Sequence, residues 1–379
     1  MNFKAIFFLL SLMLTFSCKS EAEKRAEETA SRNSIIDSTI SQFQKKLLTQ
    51  QIDSVFSRYH FNGSVAVVKS DEILYEKHNG FENFETQKKL DTSSVFAIAS
   101  LSKQFTAVLV LLQEEQGKLN TNDKVSQYLT AFQGNQFKNI TIKELLNHTS
   151  GISDFGDGLL SEPGKEFHYS NKGFRLLGQI IEKVSGKSYD ENVTVLFAKA
   201  GMINSSTATS FKGSNLAVAH TGNADNAQKV QNMPKRLAEA SISVPAGGIL
   251  STINDLHRWN RALYNGKILK PETLNKFSAK SSERNHQILG KMDYGFGIMM
   301  NIGKPNAYFH TGYVKVAPSL LIYYPENQTS AIILSNIADE LKGKNAVFNP
   351  HKEIKRITDA VQNTVIDLRK EMIKSDLEK

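Results

Sequence analysis

FAIASLSKQFTAVLVLL, residues 96–112, is the stretch on which the reading of this chain turns. Leu101, Phe105 and the run 107–112 surround one axis with apolar side chains, so a helix here is predicted to be buried all round. On a helix, residues three apart share a face, which sets the amine of Lys103 beside the hydroxyl of Ser100. A serine hydroxyl is a poor nucleophile at neutral pH and needs a neighbouring base. Lysine can be that base only where burial or positive neighbours hold it neutral. A lysine entering so apolar a helix needs a partner or a chemical task. Ser100 is the only serine in the chain followed three residues later by lysine.

So short a motif carries weight only with partners, and two more stretches supply them. Tyr169-Ser170-Asn171 is the only Y-x-N in the chain. It precedes an apolar spacing over 173–181 that predicts an amphipathic helix ending near Gly186, with Ser170 or Asn171 suited to cap it. His310-Thr311-Gly312 lies between two predicted strands, 306–309 and 319–324.

With these motifs in this order, and flanks at 61–68 (FNGSVAVV), 145–151 (LLNHTSG), 245–252 (PAGGILST), 294–297 (YGFG) and 333–336 (ILSN), the chain resembles the serine β-lactamase-like superfamily. That superfamily holds class C β-lactamases, D-alanyl-D-alanine carboxypeptidases and related esterases, and the likeness spans roughly residues 50–370. The resemblance implies that Ser100 becomes acylated and that Lys103 helps take its proton. It implies that Tyr169 shares the base role and hands a proton to the leaving group, and that Asn171 orients Lys103 and bonds the substrate amide. His310 stands where many relatives carry lysine, Thr311 and Gly312 would line the substrate site, and the N–H groups of Ser100 and Tyr313 would form the oxyanion hole. No cofactor is implied.

Elementary physics agrees. A serine at a helix N-terminus has N–H groups and the positive dipole end where an oxyanion develops. A tyrosine of ordinary pKa about 10 needs positive charge nearby to act as a base, from Lys103 or a protonated His310. One departure stands out: Val316 and Ala317 occupy positions where many relatives carry glycine and an aromatic, which predicts an altered cleft rim or turn.

The organisation follows from periodicity. Runs at 64–68 and 72–77 read as a hairpin, and 294–301, 306–309, 319–324 and 329–334 as further strands. Mostly helical patterns lie between them. A C-terminal helix starts at Asn349-Pro350 with Ile354, Ile357, Val361, Val365, Leu368 and Met372 in one stripe. The predicted fold class is α/β of the α+β type. Its antiparallel sheet is flanked by helices and built from both chain ends (51–99 and 285–370), with a helical lobe, 100–284, inserted and a tail at 371–379. His148 and Thr149 read as a cap or buried network, Asp154 and Asp157 as loop carboxylates, and no histidine pair has zinc spacing.

Composition sets bounds. With 379 residues and a formal charge of +8, the chain can bury a large core and favours anionic surfaces. It lacks the dense basic and aromatic block of a nucleic-acid binder. Lys4, the apolar stretch 5–16 and Ser17-Cys18 read as an export signal over 1–17. The expected continuation is a lipidated Cys18 and a polar tether over 18–50, with plain cleavage and release into the periplasm as the alternative. Cys18 is the only cysteine, which leaves the mature fold no disulfide or thiolate metal site. The expectation is therefore a hydrolase of the bacterial cell envelope, membrane-anchored or periplasmic. It would act on an amide or ester carbonyl (a D-alanyl peptide, a β-lactam or a small ester) and meet peptidoglycan. The rival is a lipoprotein that binds peptidoglycan fragments without turnover.

Overall fold

Gly63–Lys69 (β1) and Glu72–Asn79 (β2) form the predicted hairpin, and β1 then pairs with a strand from the far end of the chain, Gly63 opposite Ser335. The computed structural model describes residues 20–134, 136–230, 243–314 and 316–377. In it the two chain ends share one eight-stranded antiparallel sheet. The later strands are Ser282–His286 (β3), Gly290–Tyr294 (β4), Met299–Met300 (β5), Tyr308–Val314 (β6), Ala317–Tyr324 (β7) and Thr329–Ser335 (β8). Their spatial order is β3-β4-β5-β6-β7-β8-β1-β2.

Side chains alternate across a strand, so each central strand feeds two cores. Val65, Val67, Leu320, Ile322 and Ile333 enter one; Ala66, Val68, Leu321, Ile332 and Leu334 enter the other. The first core is closed by the terminal helices Glu21–Tyr59 (α1) and Asn349–Leu377 (α9). The second is closed by the middle of the chain, where Ser102–Glu115 (α2) lies among Asn171–Ser185 (α4), Tyr189–Ala200 (α5), Val244–Gly247 (α6) and Pro271–Ser278 (α8). The short α3 is Ile142–Leu146, and α7 (Ile253–Tyr264) carries Trp259, whose ring stacks on Phe105 at 4.1 Å.

Three expectations change. The segment expected to be a tether is helical from Glu21, under a capping box of Ser20 and Glu23. From Ile36 onward it belongs to the fold: Ile36, Ile40, Leu48, Ile52, Val55 and Phe56 are buried against α9 and the sheet. Those apolar residues recur about every fourth position among polar ones, so bulk composition hides the stripe. The expected tail at 371–379 continues α9 to Leu377. The single strand expected over 294–301 is broken after Tyr294: Gly297 turns with φ +68°, and a Cβ there would sit 2.8 Å from the carbonyl of Lys103. The glycine lets α2 approach the sheet at Lys103.

Candidate active site

Residues 99–101 form a short 3-10 turn ahead of α2, so Ser100 sits just outside the α-helix and Lys103 in its first turn. Ala99 is held at φ +48°, a left-handed conformation that a non-glycine residue adopts rarely. Lys103 has no exposed surface. Its Nζ lies 3.1 Å from Ser100 Oγ, 2.8 Å from Asn171 Oδ1 and 2.7 Å from the Ala246 carbonyl. Asn171 Oδ1 and the carbonyl can only accept. A neutral amine would give each a proton and turn its lone pair toward the serine hydroxyl. Burial pushes the Lys103 pKa down, while the Tyr169 and Asp154 charges oppose that and Arg284 adds to it.

The Y-S-N stretch opens α4. Ser170 caps the helix, its Oγ accepting from Gly173 N at 3.0 Å and donating to Asp154 at 2.9 Å. Asp154 also accepts from Asn171 Nδ2 at 3.0 Å and Lys172 N at 2.8 Å. Asp154, the expected loop carboxylate, also fixes the turn of the Asn171 amide. The Tyr169 ring lies 4.8 Å from Lys103 Nζ and 4.4 Å from the Arg284 guanidinium carbon.

β6 crosses over the 99–101 turn. A Cβ on Gly312 would stand 2.3 Å from the Ile98 carbonyl and 2.2 Å from Ser319 Oγ, so only glycine permits this approach. Thr311 and Tyr313 line the cleft with Ser100, Tyr169 and Asn171, in a cavity of about 780 Å³. His310 and Gly312 do not line it. His310 is fully buried, with Nδ1 2.6 Å from the Thr311 carbonyl and Nε2 3.1 Å from the Tyr294 hydroxyl. Burial, with Arg284 and Lys103 nearby, holds its pKa well below the ordinary value. His310, buried and held neutral, does not supply the expected positive charge; the Arg284 guanidinium stands over the Tyr169 ring and the Lys103 amine lies beside it. Val316 has φ +64° and is buried with Val314, Ala317, Val347 and Phe348, so its branched side chain packs in a third core and not on the rim.

The rest of the cleft wall went unseen in the sequence. Arg284 and His286 are alternate residues of β3 that face inward while Glu283 and Asn285 are exposed. The period-2 pattern at 282–286 was the available signal. His286 Nε2 lies 3.3 Å from Thr311 Oγ1, and burial, with Arg284, pushes its pKa down to about 4. Glu340, which accepts the Tyr313 hydroxyl, and Phe348 also line the cavity. Among the described residues no cluster of His, Cys, Asp and Glu fits a metal ion, and no helix is long and apolar enough to cross a membrane. The signal segment and Cys18 lie outside the described residues.

A family model described as Beta-lactamase matches residues 36–348. Penicillin-binding protein 4* of Bacillus subtilis (strain 168) is 30% identical over 354 residues, covering 83% of this chain and 77% of its own. Protein flp of Staphylococcus aureus (strain NCTC 8325 / PS 47) is 27% identical over 77% of this chain, which spans 64% of that protein's length. The crystal structure of D-amino acid amidase from Ochrobactrum anthropi SV3, complexed with L-phenylalanine amide, shares the fold. Its TM-score is 0.70 at 19% identity, over 86% of this chain and 99% of that one.

Proposed function

The chain belongs to the beta-lactamase family, and from that membership we propose that it is a serine hydrolase that passes an acyl group from an amide or ester to Ser100 and then to water. The observation that carries the reading is the Lys103 amine, enclosed by Asn171 and the Ala246 carbonyl and within 3.1 Å of the Ser100 hydroxyl. In acylation the Ser100 oxygen attacks the carbonyl carbon while its proton passes to Lys103, with Tyr169 sharing that role. The oxyanion is held by the N–H groups of Ser100 and Tyr313. Collapse of the tetrahedral intermediate breaks the bond to the amine or alcohol, which leaves with a proton from Tyr169. Water then hydrolyses the ester on Ser100 and restores the hydroxyl.

Arg284 stands over the Tyr169 ring and puts a fixed positive charge beside the proposed base. Thr311, His286 and Arg284 line the cleft together with Glu340 and Phe348, a lining of mixed polar and apolar character. Two relatives' names, a penicillin-binding protein and a D-amino acid amidase, favour substrates with a D-amino acyl group, stem peptides of the cell wall among them. Export to the bacterial envelope, with Cys18 as lipid anchor, completes the proposal. A fluorophosphonate and a labelled penicillin test it: one or both should modify Ser100 in the folded protein, and Ser100→Ala should lose all labelling and turnover. Folded wild-type protein that takes neither probe and hydrolyses neither a D-Ala-D-Ala peptide, a cephalosporin nor a p-nitrophenyl ester would sink it.

A further inference from the structure

Behind the cleft wall lies a row of polar side chains that acylation itself does not use. His148, from the loop after α3, is fully buried; its Nδ1 lies 3.1 Å from the backbone N–H of Ser170 and its Nε2 3.1 Å from the Tyr294 hydroxyl. The same hydroxyl lies 3.1 Å from His310 Nε2, and His310 Nδ1 lies 2.6 Å from the Thr311 carbonyl. The two ends have fixed roles: a backbone N–H only donates and a carbonyl only accepts. His310 must then carry its proton on Nδ1, which makes Nε2 an acceptor for the tyrosine hydroxyl. Tyr294, with one proton to give, must accept from the other side, so His148 carries its proton on Nε2. Its bare Nδ1 meets Ser170 N–H. Every donor has an acceptor, and one donor order satisfies the whole row.

We propose that His148, Tyr294 and His310 are positioning residues, a hydrogen-bond chain of single polarity that ties the backbone beside Tyr169 to the Thr311 peptide. Ser170 stands between Tyr169 and Asn171, and the His148 ring also lies against Tyr169, 4.4 Å between centroids. Thr311 lines the same cleft as Tyr169. The chain thus links the backbone beside the proposed base to the strand that carries the proposed oxyanion donor. It also admits no extra proton. A second N–H on His310 would turn the tyrosine toward His148 and set a donor against Ser170 N–H. The groups facing His148 are Phe167, Tyr169, Phe174 and Tyr294, with Lys103 and Arg284 the near charges. Facing His310 are Tyr169, Tyr294 and Thr311, with Arg284, Lys103 and His286 adding positive potential. Burial and the nearby Arg284 favour the neutral rings the chain requires, while the Thr311 carbonyl opposes them at His310.

This inference rests on the acyl-transfer reading of the cleft, and two measurements separate them. Long-range ¹H–¹⁵N spectra of the wild-type protein at pH 7 should show His148 as the Nε2–H tautomer and His310 as the Nδ1–H tautomer. Two like tautomers, or an imidazolium at either position, would overturn the chain whether or not the protein is an enzyme. Tyr294→Phe should slow labelling of Ser100 by about 10- to 100-fold at saturating probe, with the concentration for half-maximal rate little changed. Its acid limb should move up toward pH 6.5 as the freed imidazoles begin to titrate. A folded Tyr294→Phe protein labelled at the wild-type rate with an unmoved pH profile would reject the positioning role. Should wild-type Ser100 take neither probe, the acyl-transfer reading falls, and the tautomers alone still uphold or overturn the donor order.

Discussion

Asn171 can serve Lys103 only while its amide keeps Oδ1 toward the amine, and Asp154 enforces that by accepting from Nδ2. Asp154→Asn leaves one acceptor oxygen for three donors (Ser170 Oγ, Asn171 Nδ2 and Lys172 N) and offers an amine that Asn171 Oδ1 would turn to meet. The rotated amide would aim N–H at the lysine. Labelling of Ser100 is expected to slow by about tenfold or more, read as the pseudo-first-order rate, with the fold retained. An unchanged rate would show that Asn171 needs no such restraint. At this scale the sequence displayed Ser100, Lys103, Tyr169 and Asn171, because local spacing and motif order mark them. Asp154, Arg284 and the buried turn of His310 were not legible, since each depends on which distant atoms face it after folding.

Elements position these residues through close backbone contact. The 99–101 turn lies under β6, and the contact tolerates no side chain at residue 312. Gly312→Ala must push β6 away from Ile98 or twist it, at an expected cost of about 1–3 kcal/mol. It should lower the thermal midpoint and sharply reduce probe labelling together; an alanine variant with wild-type melting and labelling would mean that the two elements are not in contact. The elements most visible in the sequence were those with an uninterrupted period: the 63–79 hairpin, α2, α4 and α9. Those least visible were α1, whose apolar residues are thinly spread among polar ones, and β3 to β5. There the strands are short, and the glycine turn at Gly297 interrupts the period.

At the scale of the whole molecule, the buried imidazoles of His148, His310 and His351 join separate regions. His148 meets β4, His310 meets both β4 and its own strand β6, and His351 of α9 bonds the Pro318 carbonyl of β7 at 3.1 Å. Burial lowers all three pKa values, His351 to about 3. The unfolded chain binds protons on these groups from about pH 6.5 downward while the folded protein does not, so stability falls as pH drops through that window. Each contributes a slope of up to about 1.4 kcal/mol per pH unit below 6.5 until its folded pKa is reached. Urea midpoints at pH 7.5, 6.5 and 5.5 should be nearly level above 6.5 and fall steeply below it. A level series down to pH 5 would mean that these rings are solvated or already charged.

What the sequence alone determined is what local rules govern: the spacing of Ser100 and Lys103, the alternation of the sheet, the buried helix behind the pair and membership by motif order. Spacing and periodicity act within a few residues and survive without coordinates. The tertiary structure decided the rest, namely which carboxylate holds Asn171, which cation covers Tyr169 and which way His310 turns. Those outcomes join residues that lie many positions apart in the chain and meet only when folding brings their loops, helices and strands together.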